Sequence, residues 1–180
     1  MSQVSAYREI PLTRGMVALV DAEDYERVSQ HRWSAAHRRD ACGQQVWYAC
    51  STNSFYDHSG PYAQYWKQPL LHRFILNAPH GMDVDHITPG HTLDCRRQNI
   101  RLATRSQNMM NQRKGLGTTS RYKGVYLHTK AKRWVARIKV GDRRIYLGIF
   151  ALEEDAGRAY DAAATTHFGE FAHLNTYPTL

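Results

Sequence analysis

Four polar residues between positions 85 and 108 are of the types a hydrolytic metal site uses: Asp85, His86, Asn99 and Asn108. A hard divalent cation takes oxygen ligands, and the Asp85 carboxylate and the Asn108 side-chain oxygen qualify. A histidine with a near-neutral pKa can take a proton from water. Neighbours on an ideal strand face opposite ways, so a site shared by Asp85 and His86 needs twist or strand-end geometry. The same residues admit simpler uses, with Asp85 capping a turn and His86 a satisfied core histidine. Zinc ligation by His86, His91 and Cys95 is a further reading, although their spacing follows no standard zinc motif.

A second set of residues concerns charge. The net charge of +8 over 180 residues is unevenly spread. Residues 96–144 hold 15 Lys and Arg against one acid, Asp142, a local charge of +14. The remainder holds 9 basic residues and 15 acids, −6, and the two parts sum to +8. A block of this kind repels itself unless an anion compensates it, and a phosphate backbone is the usual reason for a basic stripe. A solvated basic face, RNA or a membrane surface fits the same charge.

The elements that position these residues follow from periodicity and punctuation. Residues 10–50 read as short strands, with apolar runs at 17–20 and 46–49 and the start of a short helix at 21–24. Residues 51–65, with Gly60-Pro61, read as a loop or hairpin. Leu70, Leu71, Phe74 and Ile75 fall at helical spacing within 66–76, and Pro79 stops that helix. Residues 82–87 form a short strand and 88–90 a turn. A second helix begins near Thr104, where Thr104 and Gln107 make a capping-box pattern. Residues 112–121 are polar and glycine-bearing, a linker. Three strands follow at 122–127, 133–140 and 144–150, with the Gly141-Asp142 turn between the last two, and then a helix over 151–167. On the second strand Arg133, Val135, Arg137 and Lys139 alternate with Trp134, Ala136, Ile138 and Val140, a half-buried pattern. The helix needs an apolar sheet face, which leaves Arg137, Lys139, Arg144 and Tyr146 outward. A sheet can enter the major groove, with arginine reading guanine and lysine touching phosphate.

Composition bounds the class. With 42% hydrophobic and 11% aromatic residues the chain is not wholly disordered. No window approaches the length of a membrane span, and the opening residues lack an apolar signal core. The expectation is a cytoplasmic, non-secreted protein with no membrane association and no obligate protein partner. Cys42, Cys50 and Cys95 cannot all pair within the chain and read as reduced thiols.

Leu71-His72-Arg73-Phe74-Ile75-Leu76, Val84-Asp85-His86-Ile87, Leu93-Asp94, Arg96-Arg97, Asn99-Ile100-Arg101, Ala103-Thr104 and Ser106-Gln107-Asn108 closely resemble the HNH homing-type endonucleases common in phages and mobile introns. The likeness covers about 10–112. It implies a ββα-metal nuclease fold and hydrolysis of DNA phosphodiesters with one Mg2+ or Mn2+ ion per active site. It also implies His86 as the general base, Asp85 and Asn108 as metal ligands, and Asn99 as the residue that holds the loop and orients His86. His72 and Arg73 match the supporting helix before the motif. Cys95 stands where such proteins usually carry Asn.

Tyr122-Lys123-Gly124-Val125, Trp134-Val135-Ala136, Tyr146-Leu147-Gly148-Ile149-Phe150, Glu153-Glu154, Ala159-Tyr160-Asp161-Ala162-Ala163 and Phe168-Gly169-Glu170 to Leu174-Asn175 resemble the AP2 DNA-binding domain. That resemblance implies that Lys123, Tyr126, Arg137, Lys139, Arg144 and Tyr146 face DNA. Tyr126 and Tyr146 stand where the family often has Arg and Trp, which implies a different sequence preference.

The sequence therefore predicts an α+β chain. An HNH nuclease domain spans 1–112 with an N-terminal strand-rich extension, a linker spans 113–120, and a three-stranded antiparallel sheet plus helix of AP2 type spans 121–175. The expected function is metal-dependent cleavage of double-stranded DNA, with Arg96, Arg97 and Arg101 adding DNA contacts. The alternative is a non-catalytic, sequence-specific DNA-binding regulator with a degenerate nuclease half. An RNA-binding protein is a third reading.

Overall fold

The computed structural model describes residues 7–40, 43–58 and 64–178. Cys42 and the Gly60-Pro61 turn lie outside the described residues. The chain forms two compact units, one from 7–40 with 44–105, the other over 106–178. The division falls after Arg105, ahead of the linker expected at 113–120.

The N-terminal unit is built from antiparallel strand pairs around an aromatic core. Strands β1 (Tyr7–Pro11) and β2 (Val17–Asp21) form a hairpin, and helix α1 (Ala22–Ser29) follows directly. Its first turn carries Glu23 and Asp24, which suit the positive end of the helix. Strands β3 (Trp33–Arg39) and β4 (Gln45–Ser51) pair in full register, as do the shorter β5 (Phe55–Asp57) and β6 (Gln64–Trp66). Helix α2 (Leu71–Ile75) is short. Of the helix expected over 66–76 only Leu71–Ile75 is helical: Trp66 closes the β5–β6 hairpin, and an irregular segment separates it from α2. Phe74 is fully buried, with the rings of His31, Trp33, Phe55 and Trp66 between 5.3 and 5.7 Å from its own. Burial on this scale contributes a few kcal/mol per large side chain, so Phe74 anchors α2 and with it His72.

Strands β7 (Asp83–His86) and β8 (Ile100–Ala103) pair antiparallel, with Asp85 opposite Arg101 and His86 opposite Ile100. The intervening segment returns to β2. The Leu19 amide donates to Leu93 O, and the Cys95 amide donates to Leu19 O. Helix α3 (Arg105–Asn111) follows β8 at the expected place.

In the C-terminal unit β9 (Val125–His128), β10 (Arg133–Val140) and β11 (Arg143–Phe150) form an antiparallel sheet in the order β11-β10-β9. Helix α4 (Glu153–Phe168) covers one face through Ala156, Tyr160, Ala164 and Phe168. Small residues let helix and sheet approach closely. A side chain at Gly124, which has φ +77°, would place its Cβ 1.9 Å from the Tyr160 ring. Met110 of α3 packs on the cluster of Ile138 and Tyr160, so α3 belongs to this unit's core.

Candidate functional site

The sheet face turned away from α4 is set by the pairing. Opposite neighbours are Arg133 and His128, Val135 and both Tyr126 and Ile149, Arg137 and Tyr146, and Lys139 and Arg144. A register shift between Ala136 and Arg137 keeps Arg137 and Tyr146 on the same face as Val135. Arg133, Arg137, Lys139, Arg144 and Tyr146 are exposed. None of the four cations forms an ion pair with an acid among the described residues. The Arg137 guanidinium lies 4.8 Å from the centre of the half-buried Tyr126 ring, an orientation that cation–π attraction favours. This face combines donors for phosphate and base edges with a tyrosine ring.

Lys123 is placed differently. Its ammonium donates to Met110 O and Gln112 O, each at 2.6 Å, where it satisfies carbonyls at the end of α3. Its backbone amide donates to Asn175, whose side chain and amide both donate to Asp161. Tyr177 donates to the other oxygen of Asp161. These contacts hold the segment after α4 against the start of β9. Asn175 was visible in the motif. Tyr177 carried no sequence signal.

Several charged and polar residues of the N-terminal unit engage one another. The Arg101 Nε and Nη2 both donate to Asp85 Oδ2, at 3.0 and 2.9 Å, with both side chains largely buried. Arg96 forms a two-pronged pair with Asp94. Arg97 does the same with the buried Asp24, and also meets Glu23. Arg73 donates to Met82 O at 2.7 Å. Asn99 accepts from the Thr88 amide and donates to His91 O and Asp94 O, so it clasps both ends of the 88–94 loop. Asn108 lies on α3, in the C-terminal unit, whereas Asp85, His86 and Asn99 lie in the N-terminal one.

Strand alternation sends Asp85 to Arg101 and His86 into a buried cluster. The His72 and His86 rings are 4.7 Å apart, with the Tyr48 ring 5.7 and 6.0 Å from them. Burial holds His72 well below the ordinary histidine range, and the neighbouring His86 adds to that. Burial lowers His86 to about 4, against the Asp94 charge and a hydrogen bond to the Thr92 backbone, which raise it. Both imidazoles are therefore neutral near pH 7. Burial also pushes the Cys95 thiol up, and the Asp94 charge adds to it. One ring nitrogen from each histidine and the Cys95 sulfur lie within 4.8 Å of one another. The sequence offered His91 as third partner of His86 and Cys95. The structure places His72 there instead.

Comparison with known proteins bears on the C-terminal unit. Residues 120–169 match the AP2 domain family. APETALA2-like protein 2 of Oryza sativa subsp. indica is 45% identical over 62 residues, 33% of this chain and 14% of that protein. The AP2-like ethylene-responsive transcription factor AIL7 of Arabidopsis thaliana is 51% identical over 56 residues, 30% of this chain and 11% of that protein. The ethylene-responsive transcription factor WRI1 of Arabidopsis thaliana is 29% identical over 163 residues, 84% of this chain and 37% of that protein. The chain thus spans well under half the length of these relatives. No solved structure matches it. The sheet and helix of the C-terminal unit have the AP2 fold, and the unit carries an AP2-type DNA-binding domain. The strands and helices of the N-terminal unit do not clearly reproduce a ββα-metal nuclease. No helix among the described residues is long and apolar enough to cross a membrane.

Proposed function

We propose that this chain is a sequence-specific double-stranded-DNA-binding protein that docks the outer face of β9–β11 in the major groove. The observation that carries this reading is the sheet face itself: Arg133, Arg137, Lys139 and Arg144 are exposed, without acidic partners among the described residues, beside Tyr126 and Tyr146. Arginine can bond both O6 and N7 of guanine, and lysine neutralises phosphate. The relatives named as transcription factors support the same use. Selection of duplexes from a random library, followed by anisotropy titration of the winner, tests it. A strong consensus that Arg137→Ala with Arg144→Ala abolishes supports the reading. Equal affinity for all duplexes, or preference for RNA, overturns it.

Metal-dependent cleavage of that DNA is the second reading, and one observation favours it: Asn99 clasps the loop between β7 and β8, the role the HNH resemblance implies. The arrangement around Asp85 does not fit a Mg2+ or Mn2+ ion. Such an ion needs several oxygen ligands and open positions for water, and the Asp85 Oδ2 is already held by a guanidinium. His86 is buried and faces His72 and Cys95 instead of solvent. Supercoiled plasmid incubated with magnesium, manganese or EDTA separates the two readings. Nicked or linear product that needs the ion and is lost in His86→Ala establishes the enzyme. Binding without product in either metal leaves the regulator.

A further inference from the structure

We propose that His72, His86 and Cys95 form a zinc-class transition-metal site that ties helix α2, strand β7 and the loop before β8 together. The site lies wholly in the N-terminal unit and does not depend on the DNA-binding reading of the sheet face. It uses His86 as a ligand, a role that excludes proton transfer by the same nitrogen.

Four observations converge. The donor set is two imidazoles and a thiol, which suits zinc and not a hard cation such as magnesium. All three residues are buried, and their ligand atoms lie within 4.8 Å of one another. A tetrahedral ion with bonds of about 2.0–2.3 Å holds its ligand atoms about 3.5 Å apart, so closure needs shifts of about 1 Å. The Nδ1 of His72 is buried with no hydrogen-bond partner, although a polar atom in that position ordinarily has one. A lone pair aimed at a cation resolves that cost.

The surroundings are also those of a ligand shell. His86 hydrogen-bonds to the Thr92 backbone, which fixes its ring orientation, as the outer partner of a metal-bound histidine does. Burial and the Asp94 charge keep the Cys95 thiol protonated in the absence of an ion, and a hydrogen bond from the His72 backbone works against them. The Cys95 backbone is pinned to β2 through Leu19 O. The Arg73 and Arg38 charges near His72 also disfavour its protonated form, which keeps its ring nitrogen free of a competing proton. On binding, the thiol proton passes to solvent and the sulfur–metal bond forms. Among the described residues no fourth His, Cys, Asp or Glu joins the group, so water completes the shell. The three ligands sit on separate elements, so a bound ion cross-links the folded unit and its binding energy adds to the unit's stability. The spacing of positions 72, 86 and 95 matches no linear zinc motif, which hid the site from the sequence.

The test uses the full chain. It is stripped with a chelator and titrated with zinc and, separately, with cobalt(II) as a spectroscopic probe. The expected result is one ion per chain, thiolate-to-cobalt charge transfer with four-coordinate d–d absorption, and a higher unfolding temperature with zinc. Cys95→Ala, which keeps a small apolar group in place, should lose the charge-transfer band and weaken binding at least 100-fold while the circular dichroism spectrum is kept. His91→Ala should bind as the parent does. Substoichiometric metal with both ions overturns the proposal. So does binding that survives Cys95→Ala unchanged, or that His91→Ala abolishes.

Discussion

The two units spend their positive charge in opposite ways. In the N-terminal unit Arg96, Arg97, Arg101 and Arg105 meet Asp94, Asp24, Asp85 and Asp83. On the C-terminal sheet face Arg133, Arg137, Lys139 and Arg144 meet no acid among the described residues, and Arg137 leans on an aromatic ring instead. Along the sequence all eight belong to one basic block of +14. In space the block is two things. Its first part is neutralised by acids drawn from outside the block, Arg121 pairs with Glu153 and Lys123 caps α3, and the four sheet-face cations stay available for an anion. A charge count along a chain therefore overstates a ligand-binding surface wherever folding brings acids to it.

The largest effect that could break this contrast lies at Arg101. Removing it takes the guanidinium from the buried Asp85 carboxylate, and breaking a buried pair of this kind costs about 3–5 kcal/mol. Arg101→Ala should lower the denaturant midpoint of the N-terminal unit strongly and change duplex affinity by less than twofold. A large loss of affinity in the folded variant would show that Arg101 works on DNA after all.

The next effect is one of pH. In chelator-treated protein His86 has a folded pKa of about 4, against about 6.5 in the unfolded chain. Between those values the unfolded chain takes up a proton that the folded one refuses. The stability is complete above pH 6.5 and is lost as pH falls toward 4, by about 3 kcal/mol for a gap of this size. His72 shifts in the same direction. Urea titrations between pH 7.5 and 4.5 should show the N-terminal unit weakening, and His86→Gln should flatten the slope. A slope unaltered by that change would place the buried proton chemistry elsewhere.

What the sequence could and could not show follows the same division. The alternation over β10 is local, so the exposure of Arg137 and Lys139 could be read residue by residue. The β-bulge after Ala136 could not, because a register shift depends on the partner strand. The Asn99 clasp followed from a resemblance. The Arg101–Asp85 pair requires the β7–β8 register, and the long loop between those strands leaves that register open. His72 and Cys95 meet only after α2, β7 and β2 have packed, and no period or spacing encodes that meeting. Lys123 illustrates the limit: its place in a DNA-binding motif gave no sign that its ammonium closes the end of α3.

On the sheet face, Arg137→Ala with Arg144→Ala should weaken binding to the selected duplex by at least about 2 kcal/mol, at 1–3 kcal/mol per good contact. If both contact phosphate, the slope of log affinity against log salt should become shallower by about 2. Stability should stay within about 0.5 kcal/mol, since neither side chain closes an ion pair among the described residues. Loss of stability without loss of affinity would reverse the assignment of roles between the units.

The smallest effect is the most discriminating, because it concerns a residue that charge alone would assign to DNA. Arg96 is partly exposed and its pair with Asp94 is good in geometry, at 2.7 and 2.8 Å. Surface pairs contribute between 0 and about 1 kcal/mol, and Asp94 keeps the backbone amide of Arg96 as a donor when the side chain is removed. Arg96→Ala should therefore cost at most about 1 kcal/mol of stability and leave duplex affinity and its salt slope unchanged. A salt slope shallower by about 1, read in the same titration as the sheet-face variants, would mean that Arg96 exchanges Asp94 for phosphate in the complex. The contrast between the units would then hold only in the absence of DNA.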